Sequence, residues 1–87
     1  MNSVYAILQI DEYGDTTILT NSYTNSGGKV LNIFCSFEFI EKYFDIKSFK
    51  SYREAADYLE QIIFPQYIDE DVFFEIHEYF KVNIKED

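Results

Sequence analysis

The residues whose types and spacing could do chemistry in this chain of 87 are carboxylates: Glu54, Asp57 and Glu60, then Asp69, Asp71, Glu75 and Glu78. Between Glu54 and Asp87, ten acidic residues stand against two lysines, Lys81 and Lys85, for a formal charge of −8. Residues 1–53 carry six acids against five bases, so nearly all of the net charge of −9 lies in the C-terminal part. The chemistry this offers is the binding of positive charge. A field of one sign speeds encounter with a basic partner. Carboxylates on a rigid surface form charge-assisted, often bidentate, hydrogen bonds to arginine. Duplex DNA carries one charge per ~1.7 Å of axis and is held by grooves lined with Lys and Arg. An acidic protein can occupy such a groove without being a nucleic acid.

Other chemistries find less. Asp69-Glu70-Asp71 lacks the alternating oxygen ligands, central glycine and terminal bidentate Glu of a calcium loop, and suits the start of a helix better. His77 is the only histidine and Cys35 the only cysteine. Neither has an oriented partner in sequence, as a nucleophile or metal ligand needs. Cys35 reads as a buried, inert thiol at the end of an apolar strand. Gly27-Gly28-Lys29 lacks the frame of a phosphate loop. Basic patches interleaved with aromatics are missing, which disfavours direct nucleic-acid binding. The expectation is a binding protein, not an enzyme, with no metal and no organic cofactor.

Behind these side chains stands one compact domain over residues 1–87. A chain this short needs a core rich in large apolar groups. The composition supplies one, at 47% hydrophobic and 20% aromatic, with nine Phe and eight Tyr. That many Tyr exceeds what a small core buries comfortably, so several are expected at the surface, either as interface anchors, Tyr67 and Tyr79 among them, or simply as strand residues. One cysteine permits no internal disulfide. Met1-Asn2-Ser3-Val4-Tyr5 lacks the features of a signal peptide, and no apolar run reaches the roughly 18–20 residues of a membrane span. A cytoplasmic location and no membrane association are expected.

Val4–Ile10 is rich in β-branched and apolar residues, sets Val4, Ala6, Leu8 and Ile10 on one face, and reads as a strand. Asp11–Asp15 supplies turn chemistry with Gly14, and Thr16–Ser22 returns as the second strand of a hairpin. Thr24–Gly28 reads as a flexible loop, and Lys29–Cys35 as a third strand. Ser36 can cap a short helix over Phe37–Phe44. Ser51-Tyr52-Arg53-Glu54 forms a capping box. Behind it Tyr52, Ala55, Ala56, Leu59, Ile62 and Ile63 share one helical face, and Pro65 stops the helix. Asp69 opens a last helix, with Val72, Phe73, Ile76 and Phe80 inward and Asp71, Glu75 and Glu78 outward. Residues 81–85 read as a frayed end or a short edge strand. The expected fold is α+β: a small antiparallel three-stranded sheet, hairpin plus one strand, packed by two to three C-terminal helices.

Length, acidity, the order of sheet then helices and the skewed carboxylates together resemble the small acidic phage-encoded inhibitors of host defence, of anti-CRISPR and DNA-mimic type. No motif carries the likeness. It implies a stoichiometric inhibitor whose acidic helical surface blocks the basic region of a nucleic-acid-binding effector in the host cytoplasm. The same surface would serve an immunity protein or antitoxin neutralising a basic toxin, or would merely keep a small phage adaptor soluble.

Overall fold

Strand β1 (Asn2–Ile10) is nine residues long, and its length organises the rest of the molecule. The computed structural model describes residues 2–21, 23–28, 30–38 and 46–81. The Asp11–Asp15 turn leads from β1 into β2 (Thr16–Leu19), which pairs antiparallel with Leu8 opposite Ile18 and Ile10 opposite Thr16. Gly14 supplies the positive φ of 85° that this turn needs. Only the last third of β1 is covered by β2. The other edge of β1 is covered end to end by a C-terminal strand, Phe73–Lys81, with Asn2 opposite Lys81 and Ile10 opposite Phe73.

That pairing corrects the expected fold. The main sheet has four antiparallel strands, not three, and among the described residues one helix of fifteen residues packs it where two to three were expected. The segment read as a last helix is a strand. Val72, Phe73, Ile76 and Phe80 fit a helical stripe, but the same segment is dense in β-branched and aromatic residues and holds neither Ala nor Leu. In the strand, Phe74 and Ile76 turn toward the core, while Phe73 and Phe80 stand 71% and 60% exposed. The partner that decides this is β1, which pairs with the segment residue for residue from Asn2–Lys81 to Ile10–Phe73 and bonds its backbone groups along nine positions.

The expected third strand divides in two. Tyr23–Thr24 (β3) and Val30–Leu31 (β4) form a two-stranded ribbon around the Gly27-Gly28 turn, whereas Phe34–Cys35 (β5) joins the main sheet beside β2. The strand Phe73–Lys81 is then β6, and the sheet order is β5-β2-β1-β6. The short helix expected over Phe37–Phe44 runs into residues 39–45, and the expected fraying or strand at 81–85 falls largely on 82–87. Both stretches lie outside the described residues.

Helix α1 (Tyr52–Tyr58) begins as its sequence dictates. Ser51 Oγ accepts from the Glu54 amide at 3.1 Å, and Glu54 Oε2 accepts from the Lys50 amide at 3.1 Å. The helix then widens into a π turn over Leu59–Ile63 and tightens into a 3-10 turn over Phe64–Gln66, so Pro65 sits inside its last turn instead of ending it. Ala55, Leu59 and Ile63 are buried against the sheet, while Tyr52 and Ile62, expected on the same face, are 59% and 39% exposed. The inward stripe is narrower than the sequence spacing implied.

Strand alternation divides the core between the two faces of the sheet. On the helix face, Ile7 and Leu19 pack with Phe49, Ala55, Leu59 and Ile63, and Phe34, Phe74 and Ile76 close around them. On the opposite face, Ala6 and Ile18 are buried among Leu8, Cys35, Ile46 and Tyr79. Cys35, expected as a buried thiol, is half-buried there, opposite Ile18. No helix among the described residues is long and apolar enough to cross a membrane.

Candidate functional site at the acidic end of the sheet

Because Ile10 lies opposite Phe73, the residues just after β1 run beside those just before β6. Asp11 and Glu12 are thereby brought against Asp69, Glu70 and Asp71, although almost sixty residues separate them in the chain. Together with Tyr13 and Val72 they line an open groove of about 370 Å³. A neighbouring groove of about 420 Å³ lies between Glu12, Glu70, Asp71 and Phe73.

Both sides of this acidic end are held rigidly. Asp11 Oδ1 accepts from the Tyr13 and Asp15 amides, each at 2.9 Å, while the Gly14 amide donates to the Asp11 carbonyl at 3.0 Å. Asp11 therefore builds the turn, and Glu12 and Tyr13 stand at its tip, with Tyr13 82% exposed. On the other side Tyr67 anchors the chain between helix and strand. Its ring packs edge-on against Phe34 and Phe74, at centroid distances of 5.9 and 5.5 Å. The Tyr67 amide donates to the Phe64 carbonyl and the Glu70 amide to the Tyr67 carbonyl, both at 3.1 Å. Burial, and after it the Glu70 charge, holds the Tyr67 phenol above its ordinary value of 10.0. With the backbone pinned at Tyr67 and Phe73, the loop between them projects its acids outward, and Asp69, Glu70 and Asp71 are all exposed.

Among the described residues the ion pair is His77 with Glu75, at 3.0 Å; no described base lies within 4.0 Å of the five acids of this end. No three described His, Cys, Asp or Glu side chains come together so as to hold a metal ion. What this end offers is uncompensated negative charge on a fixed frame, edged by exposed apolar groups. Tyr13 and Phe73 flank it, and Ile68 is 82% exposed. Charge for encounter and apolar anchors for residence are the two components of a protein-binding surface.

The structure separates the residues that the sequence grouped. Asp71 lies in the loop, and Glu75 and Glu78, an odd number of positions apart on a strand, point to opposite faces of the sheet. Glu75 pairs with His77. Glu78 Oε2 accepts from Ser3 Oγ at 2.5 Å and from the Tyr5 phenol at 3.0 Å. Those hydrogen bonds, Ser3 first, hold the Glu78 carboxyl below its ordinary value of 4.5. The bond to Glu78 in turn raises the Tyr5 phenol above 10.0, with desolvation and the carboxylate charge adding to it. Asp57 and Glu60 are exposed on the helix, and Glu54 is engaged in the capping box. Tyr67 is a packing residue, and Tyr79 is half-buried on the far face with its hydroxyl 2.7 Å from Ser48 Oγ. Only Asp69 and Asp71 of the expected set meet at the acidic end.

Sequence reasoning missed Asp11, Glu12, Tyr13 and Glu70 as members of one surface. The signal that finds them is the strand-like composition of 73–81. Once that segment pairs antiparallel with β1, the turn acids and the loop acids must be neighbours.

Comparison with protein-family models, with curated proteins and with solved structures gives no match.

Proposed function

We propose that this protein is a stoichiometric binder that uses its acidic end to occupy a basic, nucleic-acid-binding surface on a target protein. The observation that carries this reading is the convergence of Asp11 and Glu12 with Asp69, Glu70 and Asp71 on a rigid frame, beside the exposed Tyr13 and Phe73. Exposed carboxylates form charge-assisted hydrogen bonds to arginine, and the exposed rings supply area that leaves water on contact. The narrower form of the proposal, a phage-encoded anti-CRISPR or DNA-mimic inhibitor, places a nucleic-acid-guided or nucleic-acid-handling effector opposite this surface.

The experiment is capture of a partner from a cell lysate on immobilised protein, followed by identification and competition. The partner expected is a basic protein that binds nucleic acid, released by duplex DNA and by salt. A partner that binds duplex DNA and this protein together, without competition, overturns the proposal.

A further inference from the structure

β6 lies at the rim of the sheet, and among the described residues nothing pairs with its outer side. The direction of its backbone groups follows from β1. The Tyr5 amide donates to the Phe49 carbonyl and the Phe49 amide to the Tyr5 carbonyl, both at 2.9 Å. Phe49 occupies the side of β1 away from β6, so Tyr5 turns its backbone groups that way. Direction alternates along a strand. Val4, Ala6, Leu8 and Ile10 therefore bond to β6, at Tyr79, His77, Glu75 and Phe73. The unbroken register leaves Phe74, Ile76, Glu78 and Phe80 with amide and carbonyl directed outward. Edges are normally blunted by charged side chains, proline, bulges or shortness, and here the charges are Glu75, Glu78 and, at the last residue, Lys81. This one is nine residues long, contains no proline, and exposes Phe73 and Phe80 near its two ends.

We propose that the β6 edge pairs with the β6 edge of a second copy, antiparallel about a two-fold axis at Ile76, to form one continuous sheet across both molecules. Among axes over the central residues Glu75 to Glu78, charge favours that register. Outward-facing residues must meet outward-facing residues, which confines the axis to a residue position. An axis at Glu75 or Glu78 sets a carboxylate against its own copy, and an axis at His77 sets imidazole against imidazole. The axis at Ile76 sets Glu75 of each copy opposite His77 of the other, and Phe73 opposite Tyr79. An imidazole can hydrogen-bond the carboxylate opposite it, and aromatic pairs stabilise directly opposed cross-strand positions, whereas like charges there destabilise. Within one copy Glu75 and His77 contact each other at 3.0 Å, yet their side chains are 50% and 54% exposed, which leaves both with surface to turn toward a neighbour. The antiparallel arrangement also sends the two Asp69–Asp71 clusters to opposite ends of the joined strands, which limits repulsion between two chains of net charge −9. This inference uses the edge of β6 and not the acidic groove, and it stands or falls apart from the proposed function.

Sedimentation equilibrium over a concentration series tests it on the whole chain. The wild-type protein is expected to show a monomer–dimer equilibrium. His77→Glu places carboxylates opposite each other twice and should raise the dissociation constant about tenfold or more. The double variant Glu75→His/His77→Glu again sets a carboxylate opposite an imidazole in the same register and should recover the dimer. Circular dichroism of each variant confirms folding. In parallel, amide hydrogen exchange should show protection at Phe74, Ile76 and Glu78 that rises with protein concentration. A wild-type monomer at every concentration, dimerisation unchanged in His77→Glu, no recovery in the double variant, or exchange at those amides independent of concentration overturns the proposal.

Discussion

The Tyr5 phenol donates to the Glu78 carboxylate at 3.0 Å across the β1–β6 pair, joining residues seventy-three positions apart. Ser3 donates to the same oxygen at 2.5 Å, so one acid is held by two hydroxyls at the end of the ladder that closes the sheet. Tyr52 on α1 meets the Tyr5 ring edge-on, with centroids 6.2 Å apart, and ties the helix to the same point.

These hydrogen bonds give stability a defined pH window. Glu78 titrates below its ordinary 4.5 in the folded protein, so its contribution is present above that value and is lost as pH falls through the lowered one. Tyr5 titrates above its ordinary 10.0, so its contribution is full below that value and is lost as pH rises through the raised one. Tyr67, raised chiefly by burial, adds to the alkaline loss. Glu78→Gln should therefore flatten the acid limb of a melting-temperature profile and bring the Tyr5 part of the alkaline loss closer to 10.0. A variant profile that parallels the wild-type curve at both ends contradicts this role.

The helix face offers a sharper test of packing. Leu59 is 8% exposed within the main core, whereas Ile62 is 39% exposed three residues on. Leu59→Ala should cost about 2–5 kcal/mol of unfolding free energy. Ile62→Ala should cost less than about 1.5 kcal/mol, because much of its surface stays in water in the folded state. Urea denaturation of the two variants measures the difference, and equal losses would show that the stripe is placed wrongly.

Asp11 performs two tasks that substitution can separate. Its side-chain oxygen accepts two backbone amides in the turn, and its charge belongs to the acidic end. Asn keeps an acceptor oxygen and suits the same turn geometry. Asp11→Asn should hold stability within about 0.5 kcal/mol while removing one negative charge, whereas Asp11→Ala should cost about 1–2 kcal/mol. Thermal unfolding of both variants makes the comparison.

What could be read in the sequence was what is local. The hairpin around Gly14, the Ser51–Glu54 capping box and the burial of Ala55, Leu59 and Ile63 each depend on residues a few positions apart, and each appears where the pattern put it. The last element did not, because its decision is not local. Val72, Phe73, Ile76 and Phe80 satisfy a helical stripe, and Asp69–Asp71 resemble a helix start. The strand wins through nine residues of register with β1, at the other end of the chain. The candidate site failed to emerge for the same reason. Asp69 and Asp71 were in view, but Asp11 and Glu12 become their neighbours only once β6 lies beside β1.

The separation of the carboxylates also predicts unequal effects of reversing them. Asp57→Lys with Glu60→Lys changes the helix surface, away from the loops that build the grooves at the acidic end. That pair should leave stability within about 0.5 kcal/mol and slow association with the captured partner less than an equal number of reversals at Glu12 and Asp71. Stopped-flow association rates of the two double variants check the order.

The most direct measurement of the central proposal is competition between this protein and duplex DNA for the captured partner, followed by fluorescence anisotropy of labelled DNA. Wild-type protein should displace the DNA stoichiometrically, with the efficiency of displacement falling as salt screens the exposed charges. The triple reversal Glu12→Lys/Asp69→Lys/Asp71→Lys should fold normally and displace it about tenfold less effectively or worse. If the triple variant displaces DNA as well as wild type does, the acidic end is not the binding surface.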